Sequence, residues 1–73
     1  MNYYEKAKCI VDKLREKTGY DVRWDLQIVY ALGQELPHFT IYVGDNRYEI
    51  SDVTFMLCDI DETVTEVLET WKS

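Results

Sequence analysis

Residues 20–32 read YDVRWDLQIVYAL, and this stretch decides the fold that we predict for the chain. Every second residue from Tyr20 to Leu32 is apolar, and as far as Gln27 the residues between them are polar or charged. A period of two is typical of a β-strand with one buried face, because successive side chains point to opposite sides of a sheet. The stretch therefore predicts a long, half-buried first strand.

The residues before this strand predict a helix from about residue 3 to residue 17. Asn2, with Glu5 three positions later, resembles a helix N-cap, and Gly19 stands where a left-handed C-cap residue belongs. Apolar residues recur at the spacing of one helical face, namely Tyr3, Tyr4, Ala7, Ile10, Val11 and Leu14. This face should pack on the sheet.

The residues after the first strand predict a hairpin. We interpret residues 33–37 as a connector, residues 38–43 as a second strand, and residues 47–50 as a third. Gly44, Asp45 and Asn46 supply the turn between the last two, because these residue types tolerate positive φ.

Residues 51–60 fit two patterns. Val53, Phe55 and Leu57 alternate as a strand would, whereas Val53, Leu57 and Ile60 also lie on one face of a helix. We favour a strand, which needs a break or bulge near Ser51 because the apolar positions change from even to odd there.

The last residues predict a second helix, with an apolar face made by Val64, Val67, Leu68 and Trp71. The predicted fold is one α+β domain over residues 1–73. It comprises a helix, an antiparallel sheet of three strands, or four if residues 51–60 join it, and a final helix, with both helices on one face of the sheet. The expected core consists of Tyr20, Val22, Trp24, Leu26, Ile28, Ile41, Ile50, Ile10, Leu14, Leu68 and Trp71.

Composition excludes several functional classes. The 73 residues carry a formal net charge of −6, which argues against direct binding of nucleic acid. No apolar run is long enough to cross a bilayer, and no secretory leader is evident, so we expect a soluble cytoplasmic protein without a membrane partner. Cys9 and Cys58 suit neither a disulfide framework nor a metal site, and His38 is the only histidine. We expect no cofactor, no metal and no catalytic residue.

The string Phe55 to Val64, with Asp59, Asp61 and Thr63, resembles the first motif of the haloacid dehalogenase superfamily of phosphatases, an apolar strand followed by Asp-x-Asp-x-Thr. That resemblance implies a nucleophilic Asp59, a general acid or base at Asp61, and Mg²⁺. Only ten residues follow Thr63, which leaves no room for the later motifs of the family. A phosphatase-like fragment is therefore a remote alternative, beside an interpretation in which both aspartates cap the final helix.

The order of helix, three strands and helix is also similar to the double-stranded RNA-binding domain. That family grips phosphates with a Lys-rich cluster at the start of its last helix. The matching region here contains no Lys or Arg between Tyr48 and Trp71. It carries seven carboxylates instead, those of Glu49, Asp52, Asp59, Asp61, Glu62, Glu66 and Glu69.

These seven carboxylates are our candidate partner-binding residues. Residues 45–73 hold two basic against eight acidic side chains, whereas residues 1–17 hold five basic against three acidic ones. Acidic side chains along a helix and strand can imitate a row of phosphates. We therefore expect a non-catalytic module that binds a basic protein, and we expect this partner to be a nucleic-acid-binding protein. The module would inhibit its partner in the manner of small acidic inhibitors from phages and mobile elements. The competing interpretation is that the acidic surface is merely solvated.

A third hypothesis is a self-associating structural or regulatory domain with no acidic binding site, for example a homodimer. The long first strand could leave an unpaired edge, and Cys9 falls roughly opposite the apolar stripe of the first helix. Charges at Asp21, Arg23 and Asp25 could instead block pairing at that edge.

Overall fold

The chain folds as a helix, three antiparallel strands and two further helices. The structure is a computed structural model that describes residues 2–72. Its elements are α1 (Tyr3–Thr18), β1 (Val22–Ala31), β2 (Gln34–Val43), β3 (Asn46–Ile50), α2 (Asp52–Leu57) and α3 (Ile60–Lys72). The predicted α+β fold is confirmed. None of the helices within residues 2–72 has the length and apolar character needed to cross a membrane.

Both ends of α1 follow the sequence signals. The Asn2 side chain accepts a hydrogen bond from the Glu5 amide at 2.7 Å, which satisfies a donor that lacks a partner inside the helix. Gly19 adopts φ 73° and donates its N–H to the Arg15 carbonyl at 2.8 Å, ending the helix. The buried face of α1 consists of Ala7, Ile10, Val11 and Leu14.

The sheet has the order β1-β2-β3, and both connections are tight hairpins. The connector predicted at residues 33–37 is wrong, because the turn consists of Leu32 and Gly33 and β2 begins at Gln34. Leu32 and Gly33 both have positive φ, 53° and 75°, as a type I′ turn requires. Pro37 has no amide hydrogen to donate to a neighbouring strand. None is needed on the side of β3, because β3 pairs only with residues 39–43 of β2.

Residues 52–57 form the short helix α2, so the favoured interpretation of residues 51–60 as a fourth strand is wrong. The Ser51 hydroxyl caps α2 by accepting the Thr54 amide at 3.1 Å. At the other end, the Lys6 ammonium of α1 donates to the carbonyl of Phe55, in the last turn of α2, and to that of Cys58, which follows the helix. A cap and a long-range contact therefore decide a segment whose apolar pattern was ambiguous.

The core lies between the sheet and the helices. Its fully buried side chains include Phe39 and Phe55, whose rings are 5.2 Å apart, and Trp24 packs edge-on against Phe39 at 6.1 Å. Most of the expected core residues are buried or packed against the core; Ile28 is half-buried. Tyr20 is the exception at 56% exposed, because it precedes β1, and its ring centroid lies 6.2 Å from that of Trp71. Cys9 and Cys58 are half-buried free thiols, so Cys9 is less exposed than expected.

Candidate partner-binding surface

Helix α3 carries most of the predicted acidic residues on its outer side. Its inner face is anchored by Thr63, Val64 and Val67, which are buried. Residues 59, 62, 66 and 69 follow one another at intervals of three or four, so they form one stripe along the helix. The side chains of Asp59, Asp61, Glu62, Glu66 and Glu69 border one shallow depression on this surface, together with Thr65. We call these five carboxylates the α3 acidic face.

Two members of the α3 acidic face also begin the helix. The Asp59 carboxylate accepts the Glu62 amide at 2.8 Å, and the Glu62 carboxylate accepts the Asp59 amide at 3.3 Å. This reciprocal arrangement is a capping box with Asp in the N-cap position. The predicted capping role of Asp59 is confirmed, and Glu62 shares it.

Asp61 contacts α1 instead of capping α3. Its carboxylate accepts a hydrogen bond from the Lys13 ammonium, and both side chains are exposed. This hydrogen bond and the accompanying charge attraction lower the pKa of Asp61 below 3.8 and raise the pKa of Lys13 above 10.5. The depressed carboxyl pKa adds stability above pH 3.8 that is lost as the pH falls through the folded-state pKa. The raised ammonium pKa adds stability below pH 10.5 that is lost as the pH rises through its folded-state pKa. Because both groups are solvated, the effect on stability is small.

The other two predicted residues lie apart from the α3 acidic face. Glu49 is on the exposed face of β3 and pairs with the Arg47 guanidinium at 2.7 Å. Asp52 opens α2, and its carboxylate accepts the Val53 amide at 2.9 Å. Both border a second depression, next to the exposed His38. The seven carboxylates therefore divide into a group of five and a group of two.

A groove between β3 and α3 connects these groups, and sequence reasoning missed it. It has a volume of about 350 Å³. Its walls include Tyr48 and Ile50 from β3 and Val67 from α3, with Glu49 and Glu66 among its polar residues. No local pattern signals this groove, because it exists only where a strand edge and a helix distant in sequence lie side by side.

The phosphatase resemblance does not extend to the local structure. Phe55 and Leu57 belong to α2, whereas the family motif begins with a strand. Asp59 and Asp61 are engaged with the α3 amide and with Lys13, respectively. Within residues 2–72 no three His, Cys, Asp or Glu side chains are placed to hold a metal ion together.

The fold defines the class of this protein as a small α+β domain with the order helix, three-stranded meander, two helices. Comparisons with protein-family models, curated proteins and solved structures found no match to the chain.

Proposed function

We propose that this protein is a non-catalytic binding module whose α3 acidic face docks on a basic surface of a partner protein. The observation that carries the proposal is the stripe formed by Asp59, Glu62, Glu66 and Glu69 on one side of a single helix. Four carboxylates from residue 59 to residue 69 give three intervals of about 5 Å each along the helix axis, compared with one phosphate per about 3.4 Å along each strand of DNA.

The rigidity of α3 favours this role. The capping box orders the start of the helix, and Thr63, Val64 and Val67 hold it against the core. A row of charges on a fixed helix loses little conformational freedom on binding, which favours affinity. Few cations accompany the stripe in the sequence, because no Lys or Arg lies between Tyr48 and Trp71. Lys13 of α1 pairs with Asp61, at the edge of the stripe.

A basic surface that fits this stripe is one that also attracts phosphates. We therefore propose a nucleic-acid-binding protein as the partner, with the module competing for the groove that takes the nucleic acid. Inhibition of an enzyme that acts on nucleic acid follows from such competition.

The test uses a charge reversal that preserves the fold. Glu66→Lys with Glu69→Lys changes the middle and end of the stripe and leaves the capping box of Asp59 and Glu62 intact. Native and variant proteins are immobilised and exposed to a nuclease-treated lysate at low salt, and bound proteins are then displaced with duplex DNA. We expect the native protein to retain basic nucleic-acid-binding proteins that DNA displaces, and the variant to retain none of them.

A matched control separates this surface from general electrostatics. Glu16→Lys with Glu35→Lys makes the same change in net charge at exposed positions on α1 and β2. This control should bind as the native protein does. Equal retention by the native protein and the α3 variant, or equal loss in both charge-reversed variants, would contradict a role for the α3 acidic face.

A further inference from the structure

The outer half of β1 and the turn that follows it are exposed and uncharged. Residues 26–34 contain no charged side chain in a chain that is 30% charged. Val29 is 39% exposed, Tyr30 75% and Leu32 fully exposed, so apolar groups reach solvent on both faces and at the tip of the hairpin. Soluble domains rarely leave such a surface uncovered, so it is a candidate interface.

Strand β1 is an edge strand over its whole length of ten residues. In an antiparallel pair joined by a two-residue turn, the residues next to the turn are hydrogen-bonded partners, and the bonding then alternates. Ala31 and Gln34 flank the turn, so odd-numbered residues of β1 bond to β2 and even-numbered ones face outward. The Arg15 guanidinium binds the Val22 carbonyl at 2.6 Å, consistent with an outward-facing carbonyl. Outward backbone groups therefore remain at Trp24, Leu26, Ile28 and Tyr30.

The usual protections against strand pairing are missing from the outer half of this edge. Arg23 and Asp25 lie in the first half of β1 with their side chains on the open face of the sheet, and Asp21 precedes the strand. The charges that could block the edge therefore lie only in its first half. That half has no Pro, no Lys and no bulge, the features that normally prevent pairing.

We propose that a second copy of this chain pairs with this edge, β1 against β1 in antiparallel orientation, with the two-fold axis at Gln27. In this register Leu26 pairs with Ile28 of the second copy, and Trp24 pairs with Tyr30. The four residues with unpaired outward backbone groups all become hydrogen-bonded in this dimer. The pairing does not need the Val22 carbonyl, to which Arg15 already donates. Two three-stranded sheets become one sheet of six strands.

Charge and packing favour a second copy as the occupant. Each copy carries −6, so two copies repel unless the paired segment carries no net charge, and residues 22–32 meet this condition because their only charged side chains are Arg23 and Asp25. The register places Asp25 opposite Val29 and brings no two like charges directly opposite. It also forms two aromatic cross-strand pairs between Trp24 and Tyr30, a favourable combination in antiparallel sheets. This interface uses no residue of the α3 acidic face, so it is independent of the proposed function.

The test exploits the two-fold axis at Gln27, whose side chain is exposed on the open face. Gln27→Lys places two ammonium groups opposite each other in the dimer, and Gln27→Glu places two carboxylates there. Each variant alone should dimerise several-fold more weakly than the native chain in sedimentation equilibrium. An equimolar mixture should recover dimer, because Lys and Glu then face each other.

His38→Lys is the matched control. His38 is the β2 neighbour of Gln27 on the same face, one strand away from the axis, so this charge should leave dimerisation unchanged.

Hydrogen exchange of the native chain should show amides of Trp24, Leu26, Ile28 and Tyr30 that become protected as concentration rises. A mass of 8.7 kDa at all concentrations from micromolar to millimolar would overturn the proposal. So would a dimer in which these amides exchange freely, or one that the two Gln27 variants leave unchanged.

Discussion

Leu32 combines two unfavourable features at the scale of one residue. It has φ 53°, in the left-handed region where a β-carbon is crowded, and its side chain is fully exposed. The following Gly33 meets the same requirement at φ 75° without strain. A type I′ turn favours Asn or Gly at the first position, so Leu32 is an unfavourable residue for this turn.

Replacement of Leu32 by Asn should therefore stabilise the fold. Asn tolerates the left-handed region, and we expect Leu32→Asn to raise the free energy of unfolding in urea by about 1 kcal/mol. Gly33→Ala is the opposing control and should lower it, because alanine at φ 75° is strained. An unchanged or lower stability of Leu32→Asn would mean that the Leu32 side chain makes a favourable contact that outweighs its backbone strain.

Helix α2 shows what holds a short element in place. Six residues are too few for a stable isolated helix, so its stability comes from its surroundings. Ser51 caps one end, Phe55 is buried, and the Lys6 ammonium binds two carbonyls at the other end while lying 5.4 Å from the Phe55 ring. Lys6 therefore connects α1 to α2, beside the edge-on contact of the Tyr3 ring with Phe55.

Loss of the Lys6 ammonium should loosen α2. Lys6→Met keeps most of the aliphatic stem and leaves the Phe55 and Cys58 carbonyls without this donor. We expect the free energy of unfolding to fall by about 1–3 kcal/mol, and the α2 amides to exchange faster than those of α1. Lys8→Met, at an exposed position of the same helix, should change neither quantity. Native-like exchange in Lys6→Met would show that Ser51 and Phe55 suffice.

At the scale of the whole molecule, one aromatic cluster joins the sheet to the helices. Phe39 is 1% exposed and lies at the centre, in contact with Trp24 of β1 and Phe55 of α2. Tyr4 of α1 extends the cluster, with its ring 5.2 Å from that of Trp24 and tilted by 56° to it. A domain of this size has a net stability of roughly 4–11 kcal/mol, so a single buried ring is a large share of it.

Truncation of Phe39 should bring the domain close to unfolding. We expect Phe39→Ala to cost about 3–5 kcal/mol, measured by thermal and urea unfolding. Phe39→Leu keeps much of the volume and should cost clearly less. If Phe39→Ala cost under about 1 kcal/mol, the contact between the sheet and α2 would not be the centre of the core.

The sequence by itself determined α1, the even-numbered apolar face of β1, the three antiparallel strands and the cap at Asp59. These features depend on contacts within a few residues or on a period, so local physical chemistry suffices to predict them. The carboxylates of the candidate surface were also identifiable, because few basic residues accompany them.

Only the tertiary structure decided what depends on distant residues. Residues 52–57 are helical partly because Lys6, from α1, binds the carbonyls of Phe55 and Cys58 at the end of α2, and Asp61 pairs with Lys13 in place of capping α3. The grouping of the acidic residues into five and two likewise follows from how α3 and β3 are placed. The free edge of β1 was suspected from its length, but its outward-facing residues follow from the register with β2. Periodicity reports which side of an element is buried, whereas only the packed chain shows which remote group lies against it.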